Sequence, residues 1–206
     1  GQIHVMLQGD PDEELQSQLH VIDGAARRAA KIVKDLRSFA APAPAQRAPV
    51  SVSPLIRQVV DANASRLRAD HVEWQTALEE VPALSADGAQ LGQVLQGLVD
   101  NARFAMASAH DGGMLTIRLM PVSSGVRIEV ADDGPGIQPN HLPRIFNPFF
   151  TTKGPDHGRG LALRVPHGII KEHGGRLWAE NAESGGAVLV IELPVSLRRA
   201  ERPSAA

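Results

Sequence analysis

Between Ala41 and Pro49 the sequence reads APAPAQRAP, and no regular element can run through it. A proline ring removes a backbone donor and clashes with the preceding helical turn. Pro42 and Pro44 therefore end any helix that reaches them, and they exclude a central strand. The chain is predicted to be two parts joined by a semi-rigid spacer over 42–49.

The part before the spacer reads as one long helix over 12–41. Asp10 can cap it, Pro11 suits the first helical position, and Glu13 can close a capping box. Its apolar residues are Leu15, Leu19, Ile22, Ala26, Ala29, Val33 and Leu36, in steps that alternate four and three. That spacing is the seam of a coiled coil or antiparallel bundle. Arg27, Arg28, Lys31, Lys34 and Arg37 fall on the other side and read as a solvated face. At about 1.5 Å per residue the helix is about 45 Å long. A stripe that narrow needs partners, expected to be a second helix of its own chain and a second chain. GQIHVMLQ at 1–8 is the candidate stub of that second helix.

The part after the spacer, 50–195, alternates helices and strands. VSV is predicted as a short strand, and Ser53-Pro54 as the start of a helix through Ala69. HVEWQ is a strand, and a helix runs from Asp87 to Ala109. MLTIRLM and VRIEVA are strands separated by a break at Ser123-Ser124-Gly125. A glycine-rich irregular segment covers 132–160, a helix 161–173, and RLWAE and AVLVIEL close the domain. Helices with mostly antiparallel strands predict an α+β fold, a two-layer α/β sandwich with the helices on one face of the sheet. Residues 196–206, SLRRAERPSAA, read as a tail.

The bulk numbers exclude several classes. Net charge is −2 with eight histidines taken as neutral, which offers no electrostatic case for nucleic acid or an anionic membrane. Cysteine is absent, so disulfides and thiolate metal sites are out. No apolar run has the length of a membrane span, and none reads as a signal peptide, so a cytoplasmic location is expected.

The chemistry concentrates in ADDGPGI, 131–137, which follows the strand-like VRIEV. Glycines after a strand suggest phosphates, yet carboxylates repel them. The stretch is neither a dinucleotide fingerprint nor a P-loop. Alone it reads as a turn. A carboxylate can serve the other end of a nucleotide, however, by accepting from the adenine amino group while glycines let the flat base lie on backbone. Three further stretches support this. Asn101, mid-helix in QVLQGLVDNARFAM, can offer an oxygen to Mg²⁺, a hard ion that takes few protein ligands beside phosphate and water. Gly158 and Gly160 in GRGLAL precede a helix whose free N–H groups can meet phosphate. Lys153 can add a point charge, within a polar segment, TTKGPDHG, that reads as a lid.

In this order, LVDNARFAM, DDGPGI, IFNPFFTTK, GRGLAL and IIKEHGGRLWAE resemble the successive boxes of the catalytic ATP-binding domain of sensor histidine kinases. The wider group includes DNA gyrase, mismatch-repair ATPases and heat-shock chaperone ATPases. The resemblance covers nearly all of 50–195, and the histidine-kinase-specific runs are closest to nitrogen-regulation-type sensors. Residues 1–41, ending RSFAAP, resemble part of the kinases' dimerisation hairpin. The resemblance implies a Bergerat-type fold, the ligands ATP and Mg²⁺, a response-regulator receiver domain as partner, and a homodimer. The full-length protein could then be membrane-attached through upstream segments.

Carried over to this sequence, the resemblance gives Asp132 the adenine amino group and has Gly134 and Gly136 shape the base pocket. Asn101 holds Mg²⁺. Phe149, Phe150, Thr152 and Lys153 form the lid motif. Gly158, Gly160 and Leu161 bring backbone to phosphate. Gln93 positions the phosphoryl acceptor, and Arg103 is a candidate to reach phosphate.

The departures are specific. Gly97 stands where the family usually has a second Asn, and where gyrase-like ATPases carry a water-activating Glu. Ala162 replaces a lid glycine, Arg159 a common Thr, and Pro166 falls early in the following helix, where it is expected to distort a start near Leu161. No acceptor motif of the His-Glu-x-x-Asn-Pro kind is present; His4 and His20 read as helix-face residues. The chain is thus expected to be a fragment with its acceptor upstream. The alternatives are a non-catalytic nucleotide-responsive dimer scaffold and, less favoured by Gly97, a gyrase-like ATPase.

Overall fold

The computed structural model describes residues 18–24, 26, 45–109, 112–148, 150–151 and 162–195. The chain divides into two compact units, Gly1–Pro44 and Ala45–Ala206. Of the predicted long helix, 18–24 are helical, and the rest lies almost wholly outside the described residues, as do the 1–8 stub and the 196–206 tail. Within the helical stretch Leu19 is buried, while Val21 and Ile22 are exposed.

The second unit is a sheet covered on one face by helices. Its elements are β1 (Ala48–Val50), α1 (Val52–Ala69), β2 (Val72–Leu78), β3 (Leu84–Ala86), α2 (Gly88–Ala109), β4 (Gly113–Val122), β5 (Gly125–Asp132), a 3₁₀ turn (Leu142–Arg144), α3 (Arg164–Glu172), β6 (Arg176–Asn181) and β7 (Ala187–Leu193). The main sheet has the order β2-β4-β5-β7-β6. Only β2–β4 is parallel among its pairs, with Val72 opposite Gly113. The other pairs are antiparallel. β1 and β3 form a separate antiparallel pair, Ala48↔Ala86 to Val50↔Leu84.

The side-chain period of a strand explains the two faces. Along β5, Val126, Ile128, Val130 and Asp132 are buried, while the residues between them are partly exposed. The buried set meets α2, whose Val94, Leu98, Val99 and Met106 have no exposed surface. The other face of the sheet is polar. Arg127 binds Glu192 at 2.6 Å, Arg118 binds Glu129 at 3.5 Å, and Arg127 and Arg176 each lie 5.7 Å from the Trp178 ring.

α1 and α2 are latched by a reciprocal amide pair. Asn63 Nδ2 donates to Gln96 Oε1 at 2.7 Å, and Gln96 Nε2 returns a bond to Asn63 Oδ1 at 2.9 Å. Asn63 also donates to the Val59 carbonyl, so this buried polar group is satisfied.

The segment that leads into the domain is tied to both ends of the helical layer. Asp87 caps α2, its Oδ1 accepting from Ala89 and Gln90 N–H at 3.0 Å each. Its Oδ2 accepts from Gln46 N–H at 2.9 Å. Its own N–H donates to Nε2 of the buried His173, whose Nδ1 is bonded to the Ile169 carbonyl. Arg47 donates to the Glu172 carbonyl at the end of α3.

Three boundaries differ from the sequence reading. α1 begins at Val52 with Ser51 as its N-cap, so the strand expected at VSV lies two residues earlier, Ala48–Val50, beginning within the expected spacer, and Pro54 sits in the first turn, where its missing donor costs nothing. β3 is too short to carry a periodic signal. α3 begins at Arg164, which puts Pro166 inside its first turn. The expected distortion therefore does not arise: the helix starts later, where proline is tolerated.

The bonds around Asp87 lower its carboxyl below the ordinary 3.8, the Gln90 and Gln46 amides foremost. A lowered folded value means that the stabilisation is present above the unfolded value and lost as pH falls through the folded one. Asp87→Ala is expected to cost about 1 kcal/mol at neutral pH. Thermal unfolding across pH checks this: the gap between wild type and variant should close in acid.

Candidate functional site

β5 delivers Asp132 to the end of the sheet's inner face, and its side chain is only 6% exposed. Oδ1 accepts from Gly134 N–H at 3.0 Å and from Ala187 N–H at 3.4 Å. Both of these bonds fall on Oδ1, and among the described residues none is seen to Oδ2. Burial raises this carboxyl above 3.8, against the two amides, and Asp133 adds to the rise. Asp133 itself serves the sheet. Its Oδ1 accepts from Met114 N–H at 2.9 Å and ties the strand end to β4.

The loop that follows is shaped by close approach. A Cβ on Gly134 would stand 2.9 Å from Asp132 Oδ1 and 3.3 Å from the Ala105 backbone of α2, so a side chain there would push the loop off the helix. Gly186, at φ 86°, lies against the backbone of Asp132 and Asp133, in a conformation and at a distance that only glycine meets. Asn181, the last residue of β6, holds the loop by its backbone. Its Oδ1 accepts from Ile137 N–H and its Nδ2 donates to the Ile137 carbonyl, both at 2.7 Å. Gly136, at φ 71°, turns directly before it.

The opposite wall is α2. Gln93, Gly97, Asn101 and Ala105 are spaced four apart and share a face of this helix. Asn101 stands one turn, about 6 Å, from the Ala105–Gly134 contact. Asn101 is partly buried and Gln93 exposed. Arg103 does not join this face. It is ion-paired with Asp70 after α1 and lies 4.0 Å from Asp100.

Beyond the loop, Phe146 stacks on His167 of α3 at 5.1 Å, and Arg144 lies over the Phe150 ring at 5.0 Å. Phe149, Thr152, Lys153, Gly158, Gly160 and Leu161 lie outside the described residues. The described residues contain no cluster of three or more His, Cys, Asp or Glu that could hold a metal.

The sequence reading names Asp132, Gly134, Gly136 and Asn101; the structure puts Asp132 at the end of β5, the two glycines on the loop after it, and Gly134 against Ala105, one turn from Asn101 on α2. It missed Asn181, Gly186 and Ala105. Asn181 acts on Ile137, 44 residues earlier, which no local pattern in RLWAEN indicates.

A mixed sheet with helices on one face, and a ligand end built where a central strand stops, is the Bergerat-type ATP-binding arrangement. The comparisons with known proteins agree. The profile of the family described as "Histidine kinase-, DNA gyrase B-, and HSP90-like ATPase" matches residues 86–197. The sensor protein FixL of Bradyrhizobium diazoefficiens is 33% identical over 93% of this chain and 38% of its own length. The catalytic domain of histidine kinase ThkA, nucleotide-free, is 32% identical with a TM-score of 0.65, over 73% of this chain and 96% of that one. ThkA in complex with the response regulator TrrA matches at 28% identity and TM-score 0.71, over 91% and 53%. Full-length ShkA in complex with AMPPNP matches at 26% identity and TM-score 0.82, over 94% and 41%. The chain belongs to the histidine kinase-, DNA gyrase B- and HSP90-like ATPase family, as a sensor histidine kinase catalytic domain. It spans well under half the length of the curated relatives it matches.

Asn181→Ala is expected to lose both bonds to Ile137 and about 1–3 kcal/mol of stability. Hydrogen exchange should show the Ile137 amide losing protection, with β4 and β5 amides unchanged.

Proposed function

We propose that this domain binds ATP with Mg²⁺ and, in the whole protein, transfers the γ-phosphoryl group to a histidine for relay to a response-regulator receiver domain. The observation that carries the reading is Asp132, a buried carboxylate whose Oδ1 accepts from the backbone amides of Gly134 and Ala187 at the start of a glycine loop. Oδ2 accepts from the adenine amino group, and Gly134 and Gly136 leave the base room against backbone. Asn101, one turn along α2 from that loop, supplies a metal ligand; Mg²⁺, when bound, neutralises phosphate charge. Thr152, Lys153, Gly158, Gly160 and Leu161 are proposed for the phosphate side, and Phe149 for the lid. Gln93, exposed on the same helix, is proposed to orient the acceptor.

In the transfer, the bond from γ-phosphorus to its bridging oxygen breaks and a bond to an imidazole nitrogen forms. The imidazole proton leaves to water, and ADP departs. Such chemistry is mainly positioning and charge stabilisation. The ThkA complex with TrrA supports the regulator as partner. The exposed Val21 and Ile22 on the helical stretch support a homodimer. We place the domain in the cytoplasm; no described helix is long and apolar enough to cross a membrane.

Calorimetric titration with an ATP analogue, with and without Mg²⁺, tests the site. Asp132→Asn presents a donor to a donor and is expected to weaken binding at least about 10-fold. Asn101→Ala should make the remaining affinity insensitive to Mg²⁺. A wild type that binds no analogue would overturn the proposal.

Two signs follow from the raised carboxyl of Asp132. Affinity in the wild type should fall on acidification at a pH above 3.8, as the carboxylate is protonated. The folded state binds that proton more tightly than the unfolded chain, so ionising Asp132 costs stability as pH rises through this window. Asp132→Asn removes that cost, and its unfolding midpoint at neutral pH should equal or exceed that of the wild type.

A further inference from the structure

Three departures noted in the sequence, Gly97, Ala162 and Pro166, meet at one point. A Cβ on Gly97 would lie 3.3 Å from Pro166 Cγ and 3.7 Å from the Ala162 carbonyl oxygen. Pro166 is buried in the first turn of α3, and Ala162 is the first described residue after the segment 152–161. Gly97 is one turn before Asn101 on the same face of α2.

Glycine in the middle of a helix as long as α2 is unfavourable, by about 1 kcal/mol against alanine. Its φ is not in the left-handed region, so backbone conformation does not require it. Close approach is the remaining reason. The proline ring packs where the glycine has no side chain. Its own cost is small, because the first turn of a helix does not use its N–H.

We infer that Gly97 and Pro166 are a matched pair of positioning residues: the proline ring, seated in the notch left by the glycine, sets the distance between the Asn101 face of α2 and the start of α3. This rests on the nucleotide reading above, in which Asn101 and the chain entering α3 serve the phosphate and metal end of the ligand, while Asp132 serves the base. Among the described residues the notch holds a ring and a carbonyl, and no carboxylate. The pair therefore acts on the geometry of the phosphate end and leaves the base end alone.

The test is a substitution series read by calorimetry in the protein as it stands, with adenosine and with a non-hydrolysable ATP analogue plus Mg²⁺. Gly97→Ala should push Pro166 by a few tenths of an ångström and weaken the Mg²⁺-analogue about 3-fold, and Gly97→Leu at least about 10-fold, a range typical of coupled neighbours. Adenosine affinity should change less than about 2-fold in both. Pro166→Ala removes the Cγ that the new Cβ meets, so the double variant Gly97→Ala/Pro166→Ala should bind the analogue as Pro166→Ala does. Thermal unfolding, measured alongside, separates a role in stability only: that role would shift midpoints and leave the affinities of the folded proteins alone.

Analogue affinity unchanged by Gly97→Leu, or strict additivity in the double variant, would overturn the pairing. Equal loss of adenosine and analogue would overturn its restriction to the phosphate end. Should Gly97→Leu fail to fold, the alanine cycle decides. A wild type that binds neither ligand would sink the nucleotide reading itself, and the pairing with it, a result distinct from binding that ignores both substitutions.

Discussion

A carboxylate buried at the end of a central strand governs the architecture of the site. Burial alone would neutralise it or exclude it. Two backbone amides hold one of its oxygens, and those amides come from different places: Gly134, two residues on, and Ala187, at the start of β7. For Ala187 to arrive, the β6–β7 turn must fold against the end of β5, and Gly186 makes that approach possible. For Gly134 to turn back, its missing side chain must lie against Ala105. The glycines are therefore fixed by where the carboxylate is, more than by the ligand.

The same logic links the site to the rest of the unit. α2 is the wall of the pocket, the centre of the core and the partner of the leading segment at once. Its N-terminus is capped by Asp87, which also holds Gln46 and, through its N–H, His173. Arg47 reaches the carbonyl that ends α3. Residues 46 and 47 thus reach the start of α2 and the end of α3, so a displacement of that segment acts on both helices together. The amide pair Asn63–Gln96 fixes α2 against α1 on its far side, and Arg103 belongs to this seam, with Asp70 and Asp100.

Much of this was legible in the sequence, for physical reasons that differ between elements. α2 and the strands β4 to β7 were found because their apolar periods are long and clean. Asp132 stood out only in company: the stretch alone reads as a turn, and the boxes before and after it gave its carboxylate a nucleotide reading. The resemblance offered Arg103 to phosphate, whereas the structure pairs it with Asp70, 33 positions away, a partner that no local pattern names. β3 carries three residues and no period. Asn181 acts through backbone atoms of a loop 44 residues earlier, a contact to which no local pattern points. The start of α3 was placed too early because the glycine-rich run GRGLAL was read as its cap, whereas Pro166 fits only if the helix begins near Arg164.

Gly97, Ala162 and Pro166 show what a comparison position by position cannot. Taken singly against the family pattern, each is a loss: a ligand removed, a loop crowded, a helix start disturbed. In space they compose one contact, in which the absence of one side chain makes room for the ring of another. The volume that a polar residue would have filled is filled by carbon, and the helix start that proline would have disturbed has moved to where proline is tolerated. A substitution that deletes a functional group need not loosen its site when a neighbour takes the space. What it changes is the kind of constraint, from a directional bond to a steric stop. A stop of that kind holds separation well and direction poorly, so directional contacts on that face of the helix fall to its polar side chains, Gln93 and Asn101.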